Sequence, residues 1–211
     1  MNAQADYGQY LAAHCDPEPP ELNEIYRRTH LRHLYPRMCS GHVQGRILAM
    51  IASMIRPQRA LELGTFTGYS ALCLAEGMSP GTVLDTIEID DEMEDELRAT
   101  FAAVSRPASI RLHIGDALDI IPRLRGPWDL VFIDANKRHY LSYFEAVIDR
   151  VPPGGFILAD NTLWSGKLPA GDAHDAQSLA IARFNDAIAA DPRVAKVILP
   201  VRDGLTLMRR L

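Results

Sequence analysis

A chain of 211 residues is long enough for one domain with a substantial core and short for two. Its hydrophobic share of 47% and charged share of 23% are those of an ordinary soluble globular protein. A formal net charge of −5 argues against a nucleic-acid groove, which needs a basic footprint.

The three cysteines, Cys15, Cys39 and Cys73, are odd in number and form no Cys-x-x-Cys pair, which points to a reduced, cytoplasmic compartment. Residues 1–20 contain Asp6, Asp16 and Glu18 and no long apolar run, so no secretory signal is expected. The most apolar stretch, Ile47 to Ile55, is too short to cross a bilayer. Neither a membrane nor a nucleic acid is an expected partner.

Residues 3–14 and 21–35 read as helices separated by the Pro17/Pro19/Pro20 breaker. Gln44 to Ile55 reads as a third, with Ile47, Leu48, Met50, Ile51, Met54 and Ile55 giving an apolar face at helical spacing, and Arg56-Pro57 ends it. This helical extension, residues 1–56, precedes any strand and must pack on the flank of a sheet or on another subunit. From Arg59 onward, strands near 59–63, 82–89, 110–114, 128–133 and 155–159 alternate with helices near 69–77, 91–104, 117–124, 138–150 and 175–190. That alternation predicts a mostly parallel sheet covered on both faces. Two short β runs, 195–199 and 205–209, flank Pro200-Val201-Arg202-Asp203-Gly204, a hairpin signal. The total is seven strands, one of them antiparallel, in a single α/β domain over 1–211 with its core from residue 57.

Leu61-Glu62-Leu63-Gly64-Thr65-Phe66-Thr67-Gly68-Tyr69-Ser70 carries the most information. An apolar strand breaks into a glycine-punctuated turn and enters a helix, the place where an α/β sheet binds a nucleotide-like cofactor. Gly64 and Gly68 carry no Cβ, which lets the backbone turn and a ligand approach. The spacing is not the Gly-x-Gly-x-x-Gly of dinucleotide binders. The second strand ends in Glu88, roughly 20 residues beyond the turn, where an acid accepts hydrogen bonds from a ribose diol. The third runs into Gly115-Asp116-Ala117, where a short acid could meet an adenine amino group. Capping of the following helices is the alternative role for Glu88, Asp90 and Asp116.

The fourth strand ends at Asp134 and the fifth at Asp160-Asn161. The carboxyl ends of parallel strands line one crevice, so these three oxygen donors converge on the edge that holds the cofactor turn. Two carboxylates and an amide suit Mg²⁺ completed by water, and zinc fits the set less well. Capping or turn roles are the alternative. Lys137, at the start of the next helix, is either a solvated cation or, facing the crevice, a base whose charged form a nearby dication disfavours. Trp164 either walls a flat substrate or packs its loop down.

These residues resemble the cation-dependent small-molecule O-methyltransferases, the family of catechol and caffeoyl-CoA O-methyltransferases. The resemblance covers roughly Met38 to Leu211. It is most specific over Glu62 to Ser70, over Phe132-Ile133-Asp134-Ala135-Asn136-Lys137 and over Asp160-Asn161-Thr162-Leu163-Trp164. It implies a seven-stranded Rossmann-like methyltransferase sheet with an N-terminal helical extension and a C-terminal hairpin. It also implies S-adenosylmethionine and a divalent cation, Mg²⁺ or another, as cofactors. The implied cofactor residues are Glu62, Gly64, Thr65, Gly68, Tyr69, Ser70, Glu88, Ile89, Gly115, Asp116, Ala117 and Asp134. The implied metal ligands are Asp134, Asp160 and Asn161, the catalytic residues Lys137 and Asp134, and the acceptor-facing residues Met38, Lys137 and Trp164. The partners implied are a small aromatic acceptor and a second copy of the chain. The loop 166–175 is particular to this sequence and does not carry an acceptor over. A nicotinamide-dependent oxidoreductase and a non-catalytic S-adenosylmethionine-binding protein are the rival classes.

Overall fold

Successive residues of a strand face opposite ways, and the central strands use both faces for core. Leu61, Leu63, Val131, Ile133, Ile157 and Ala159 point into one hydrophobic cluster, while Ala60, Leu130, Phe132 and Leu158 point into another. Runs this apolar require cover on both sides of the sheet. The computed structural model describes residues 7–211; residues 3–6 of the predicted first helix lie outside the described residues.

The elements follow in the order α1 (Tyr7–His14), α2 (Pro20–Arg32), α3 (His42–Ile55), β1 (Arg59–Leu63), α4 (Tyr69–Gly77), β2 (Val83–Glu88), α5 (Glu94–Ala103) and β3 (Ser109–Ile114). Then come α6 (Ala117–Ile120), β4 (Leu130–Ile133), α7 (Tyr140–Ile148), β5 (Phe156–Asp160), α8 (Ala176–Ala190), β6 (Val194–Leu199) and β7 (Leu205–Arg210). Residues of α2, α3 and α4 fill one cluster, and residues of α7 and α8 fill the other.

The seven strands lie in the order β3-β2-β1-β4-β5-β7-β6. All pairings from β3 to β5 are parallel, and β7 runs antiparallel to both β5 and β6. The order reverses between β1 and β4, so the crevice at their carboxyl ends is the expected ligand position. The fold is the predicted seven-stranded α/β sheet with one antiparallel strand.

Several boundaries differ from expectation by a few residues, the end of α6 at Ile120 instead of residue 124 among them. The second helix stops at Arg32 rather than residue 35, and a 3₁₀ turn begins at Pro36, which disfavours helical backbone in the residue before it. The fourth strand starts at Leu130, after a bend at Asp129 whose carboxylate accepts from the backbone N–H groups of Gln58 and Arg59 at 2.7 and 3.2 Å. Among the described residues no helix is long and apolar enough to cross a membrane.

Candidate active site

The ladder between β1 and β2 continues past the strand end, with Gly64 N and Thr65 N both donating to Ile87 O. The chain then turns through Phe66 and Gly68, at φ of 49° and 84°, into the first turn of α4. The missing Cβ atoms of the two glycines make room within the protein. A Cβ on Gly64 would lie 2.4 Å from Asp134 O, and one on Gly68 would lie 2.8 Å from the Phe101 ring. Sequence reasoning assigned that space to a ligand; it is taken by the neighbouring strand end and by α5.

Glu62 is fully buried beneath the turn. Its Oε2 accepts from Thr86 Oγ1 at 2.5 Å, and its Oε1 has no hydrogen-bond partner. Burial first, and then the charges of Asp134 and Glu88, push its carboxyl up to about 8 against the pull of the Ser70 and Thr86 hydroxyls. Glu88, at the end of β2, accepts from Phe66 N at 2.7 Å and Asp90 N at 3.0 Å, so it braces the turn instead of capping a helix. Asp90 and Asp116 do cap, accepting from Glu92 N and Leu118 N.

Across the reversal point, Asp134 closes β4. Lys137 folds back onto it, Nζ to Oδ1 2.6 Å, and also donates to the Tyr140 hydroxyl at 2.6 Å. Burial first, and then the neighbouring Asp160 charge, raise the Asp134 carboxyl to about 6 although Lys137 pulls the other way. Tyr140 is fully buried, and burial ahead of the Asp134 charge holds its hydroxyl neutral, well above its ordinary value. Asp160 is 3% exposed. It accepts from Gln44 Nε2 at 2.7 Å and from Asn161 N at 2.9 Å, while Asn161 takes the left-handed conformation, φ 58°. Among the described residues no cluster of three or more His, Cys, Asp and Glu side chains is arranged to hold a metal, so any cation here would rely on the amide and water as well.

These strand ends open into one cavity of about 1050 Å³. Of the predicted residues, Gly64, Thr65, Tyr69, Ser70, Glu88, Ile89, Gly115 and Ala117 line one part of it. Asp134, Lys137, Asp160, Asn161, Trp164 and Met38 line the rest. Glu62, Gly68 and Asp116 are not on its wall. Glu62 lies beneath the turn, Gly68 against α5, and Asp116 is engaged at the start of α6. Trp164 is half-buried in a turn where it and Ser165 both have positive φ, 49° and 53°.

Sequence reasoning overlooked Tyr140, Gln44 as a side chain, and Arg202. Tyr140 lies three residues beyond Lys137, one helical turn away, and that spacing was a usable signal. Gln44 and Arg202 come from distant parts of the chain and carried no local one.

The chain matches the O-methyltransferase family model over residues 12–211. It is 31% identical to caffeoyl-CoA O-methyltransferase 2 of Petunia hybrida, covering all of this chain and 92% of that one. It is 30% identical to caffeoyl-CoA O-methyltransferase 5 of Nicotiana tabacum, covering all of this chain and 93% of that one. Two solved structures superpose with TM-scores of 0.87. One is the O-methyltransferase TomG of Streptomyces achromogenes, involved in tomaymycin synthesis and bound to SAM, at 28% identity over 96% of this chain and 94% of that one. The other is an O-methyltransferase of Bacillus cereus in complex with SAH, at 27% identity over 96% of both chains.

Proposed function

The chain belongs to the O-methyltransferase family as an S-adenosylmethionine-dependent enzyme, and from that premise we propose that it methylates one hydroxyl of a small catechol-like aromatic with the help of a divalent cation. The observation that carries this reading is the meeting, in one cavity, of Glu88 with the oxygen donors Asp134, Asp160 and Asn161.

The residues present fit both groups. A cavity lined by Glu88, Asp134 and Asp160, with Glu62 buried behind its wall, suits a donor that carries a sulfonium and an ammonium. The unpartnered Glu62 Oε1 lies buried behind that wall, where the charge of a cationic donor group would favour its ionised form. Asp134 and Asp160 repel one another, which a dication between them would relieve. The cation would be held by Asp134, Asp160 and Asn161, and it supplies charge stabilisation to a hydroxyl oxygen as that oxygen ionises.

Glu88 binds the ribose hydroxyls, with Ile89, Gly115 and Ala117 beside the adenine. Gly64, Thr65, Tyr69 and Ser70 surround the methionine part, and Gly68 and Asp116 act from behind the wall by shaping the turn and starting α6. Lys137 is the general base. Its Nζ, held in the crevice between Asp134 and Tyr140, takes the proton of the acceptor hydroxyl. Tyr140, neutral and buried, holds Nζ in place. Met38 and Trp164 form the apolar walls that keep the aromatic ring in line with the methyl group. The rival oxidoreductase and binding-module readings fall with family membership.

The test is a panel of catechols and monophenols incubated with S-adenosylmethionine, with and without chelator, and read by mass spectrometry. Methylation of the catechols alone, lost in chelator and restored by Mg²⁺, is the expected result. Methylation of monophenols in chelator would overturn the metal and acceptor assignments.

A further inference from the structure

We propose that Arg202 is a positioning residue that fixes Asp160, through Gln44, in the orientation that receives the cation. The proposal rests on the reading of Asp134, Asp160 and Asn161 as the cation's ligands.

Arg202 sits in the turn between β6 and β7 at φ 46°. That left-handed conformation suits glycine, and a residue with a Cβ occupies it at some cost. The side chain held there reaches back to the start of α3. Its Nη1 donates to Gln44 Oε1 at 2.7 Å and shares its protons with Ser40 O and with Cys39 O at 3.2 Å. Cys39 and Ser40 lie in the segment that leads into α3, and Gln44 in its first turn.

An amide has one accepting and one donating end. With its oxygen turned to the guanidinium, Gln44 must turn its NH₂ away, and that group donates to Asp160 Oδ2 at 2.7 Å. The reversed amide would set donor against donor at Arg202 and acceptor against acceptor at Asp160. Gln44 and Asp160 are 2% and 3% exposed, so water does not compete for this bond. Asn161 N holds the other carboxylate oxygen at 2.9 Å, and the Tyr140 hydroxyl lies 3.0 Å from the Asp160 carbonyl. Arg202 thus selects the amide orientation, the amide selects the carboxylate rotamer, and the carboxylate is ordered before any cation arrives. Hydrogen bonds to a metal's ligands of this kind govern affinity by about 10–100-fold.

The experiment measures Mn²⁺ affinity of the full-length protein by electron paramagnetic resonance of the free ion, without acceptor. The variants are Arg202→Gly, Gln44→Leu and the double substitution. Glycine accepts φ 46° without strain, so Arg202→Gly keeps the turn; its melting temperature should fall modestly with the lost guanidinium hydrogen bonds, while the fold by circular dichroism and S-adenosylhomocysteine affinity should stay at wild-type values. Each single variant should bind Mn²⁺ at least about 10-fold more weakly. The double variant should stay within about 2-fold of Gln44→Leu, because Arg202 acts through Gln44. The Mn²⁺ concentration that half-activates the enzyme should rise while kcat at saturating Mn²⁺ holds. Wild-type affinity in Arg202→Gly, or losses that multiply in the double variant, would overturn the proposal and leave the cation site standing. Absence of Mn²⁺ binding by the wild-type protein would overturn the cation reading itself.

Discussion

Lys137 Nζ lies 2.6 Å from Asp134 Oδ1, and its side chain is 12% exposed. A lysine three residues beyond a strand end is therefore folded into the crevice instead of standing in solvent. If it is the general base, Lys137→Ala should cut kcat by about 10²–10⁴ while leaving S-adenosylmethionine affinity unchanged in calorimetry. The deficit should shrink as pH rises and the acceptor ionises unaided. A variant with wild-type kcat across that range would leave activation to the cation alone.

Asp160 is buried and held by Gln44 and Asn161, so replacing it removes a preorganised donor. Asp160→Ala should abolish turnover and leave S-adenosylhomocysteine binding largely intact. The wild-type enzyme stripped in chelator should be inactive and should recover with Mg²⁺. Full turnover by the stripped enzyme would refute the cation requirement.

Glu88 accepts two backbone N–H groups and still faces the cavity. Two charge-assisted bonds to a ribose are worth about 1.5–3 kcal/mol each, so Glu88→Ala should weaken S-adenosylmethionine binding by well over about 10-fold, with little change in Mn²⁺ affinity. Unchanged cofactor affinity would move the ribose elsewhere.

Much of this was legible along the chain. The β1 turn, the acid ending β2 and the donors ending β4 and β5 are each local patterns, and a parallel sheet necessarily gathers strand ends on one edge. Side-chain direction was not legible. Whether Lys137 pointed inward depended on the buried Tyr140 hydroxyl and on Asp134. The Arg202–Gln44–Asp160 chain joins three segments that meet only because β7 inserts between β5 and β6. The space beside Gly64 and Gly68 was misassigned for the same reason, since its occupants, Asp134 O and Phe101, are remote in sequence.

Glu62 gives a pH prediction. Its carboxyl is raised from 4.5 to about 8 by burial, so the folded chain holds this proton more tightly than the unfolded one. Its contribution to stability is full below about 4.5 and is lost as pH rises through about 8. The melting temperature of the cofactor-free protein should carry a downward slope in that window, and Glu62→Gln should flatten it. A cationic donor group beside Glu62 favours the ionised form, so cofactor binding at neutral pH should release a proton. Calorimetry in buffers of different ionisation enthalpy reads that release, and Glu62→Gln should show none. Equal enthalpies in all buffers for the wild-type protein would place Glu62 beyond the influence of the donor's charge.

The last prediction is a two-fold homodimer, for which the helical extension and the closing hairpin offer surface. The helical extension carries the apolar residues Tyr7, Tyr10, Leu11, Ile25, Leu31 and Leu34, which need cover; Leu31 and Leu34 are 68% and 84% exposed, and Tyr10 and Leu11 are exposed. Ile25 already has its cover in the core, and the side chain of Tyr7 lies outside the described residues. A second stretch is more continuous. Met54 of α3 and Leu207 of β7 line one groove of about 560 Å³, and Leu207 pairs with the exposed Val197 of the edge strand β6. An edge strand with exposed apolar side chains is a surface that proteins ordinarily cover. A stable isologous contact buries about 1,200–2,000 Å², and α3 shares one groove with the hairpin, so α3 should take part. Light scattering at micromolar concentration should give about twice the chain mass of 23.4 kDa. Val197→Glu with Met54→Glu should lower it to the single-chain value with the fold retained by circular dichroism. A wild-type monomer would end the dimer proposal, and a dimer indifferent to both substitutions would move its interface away from this face.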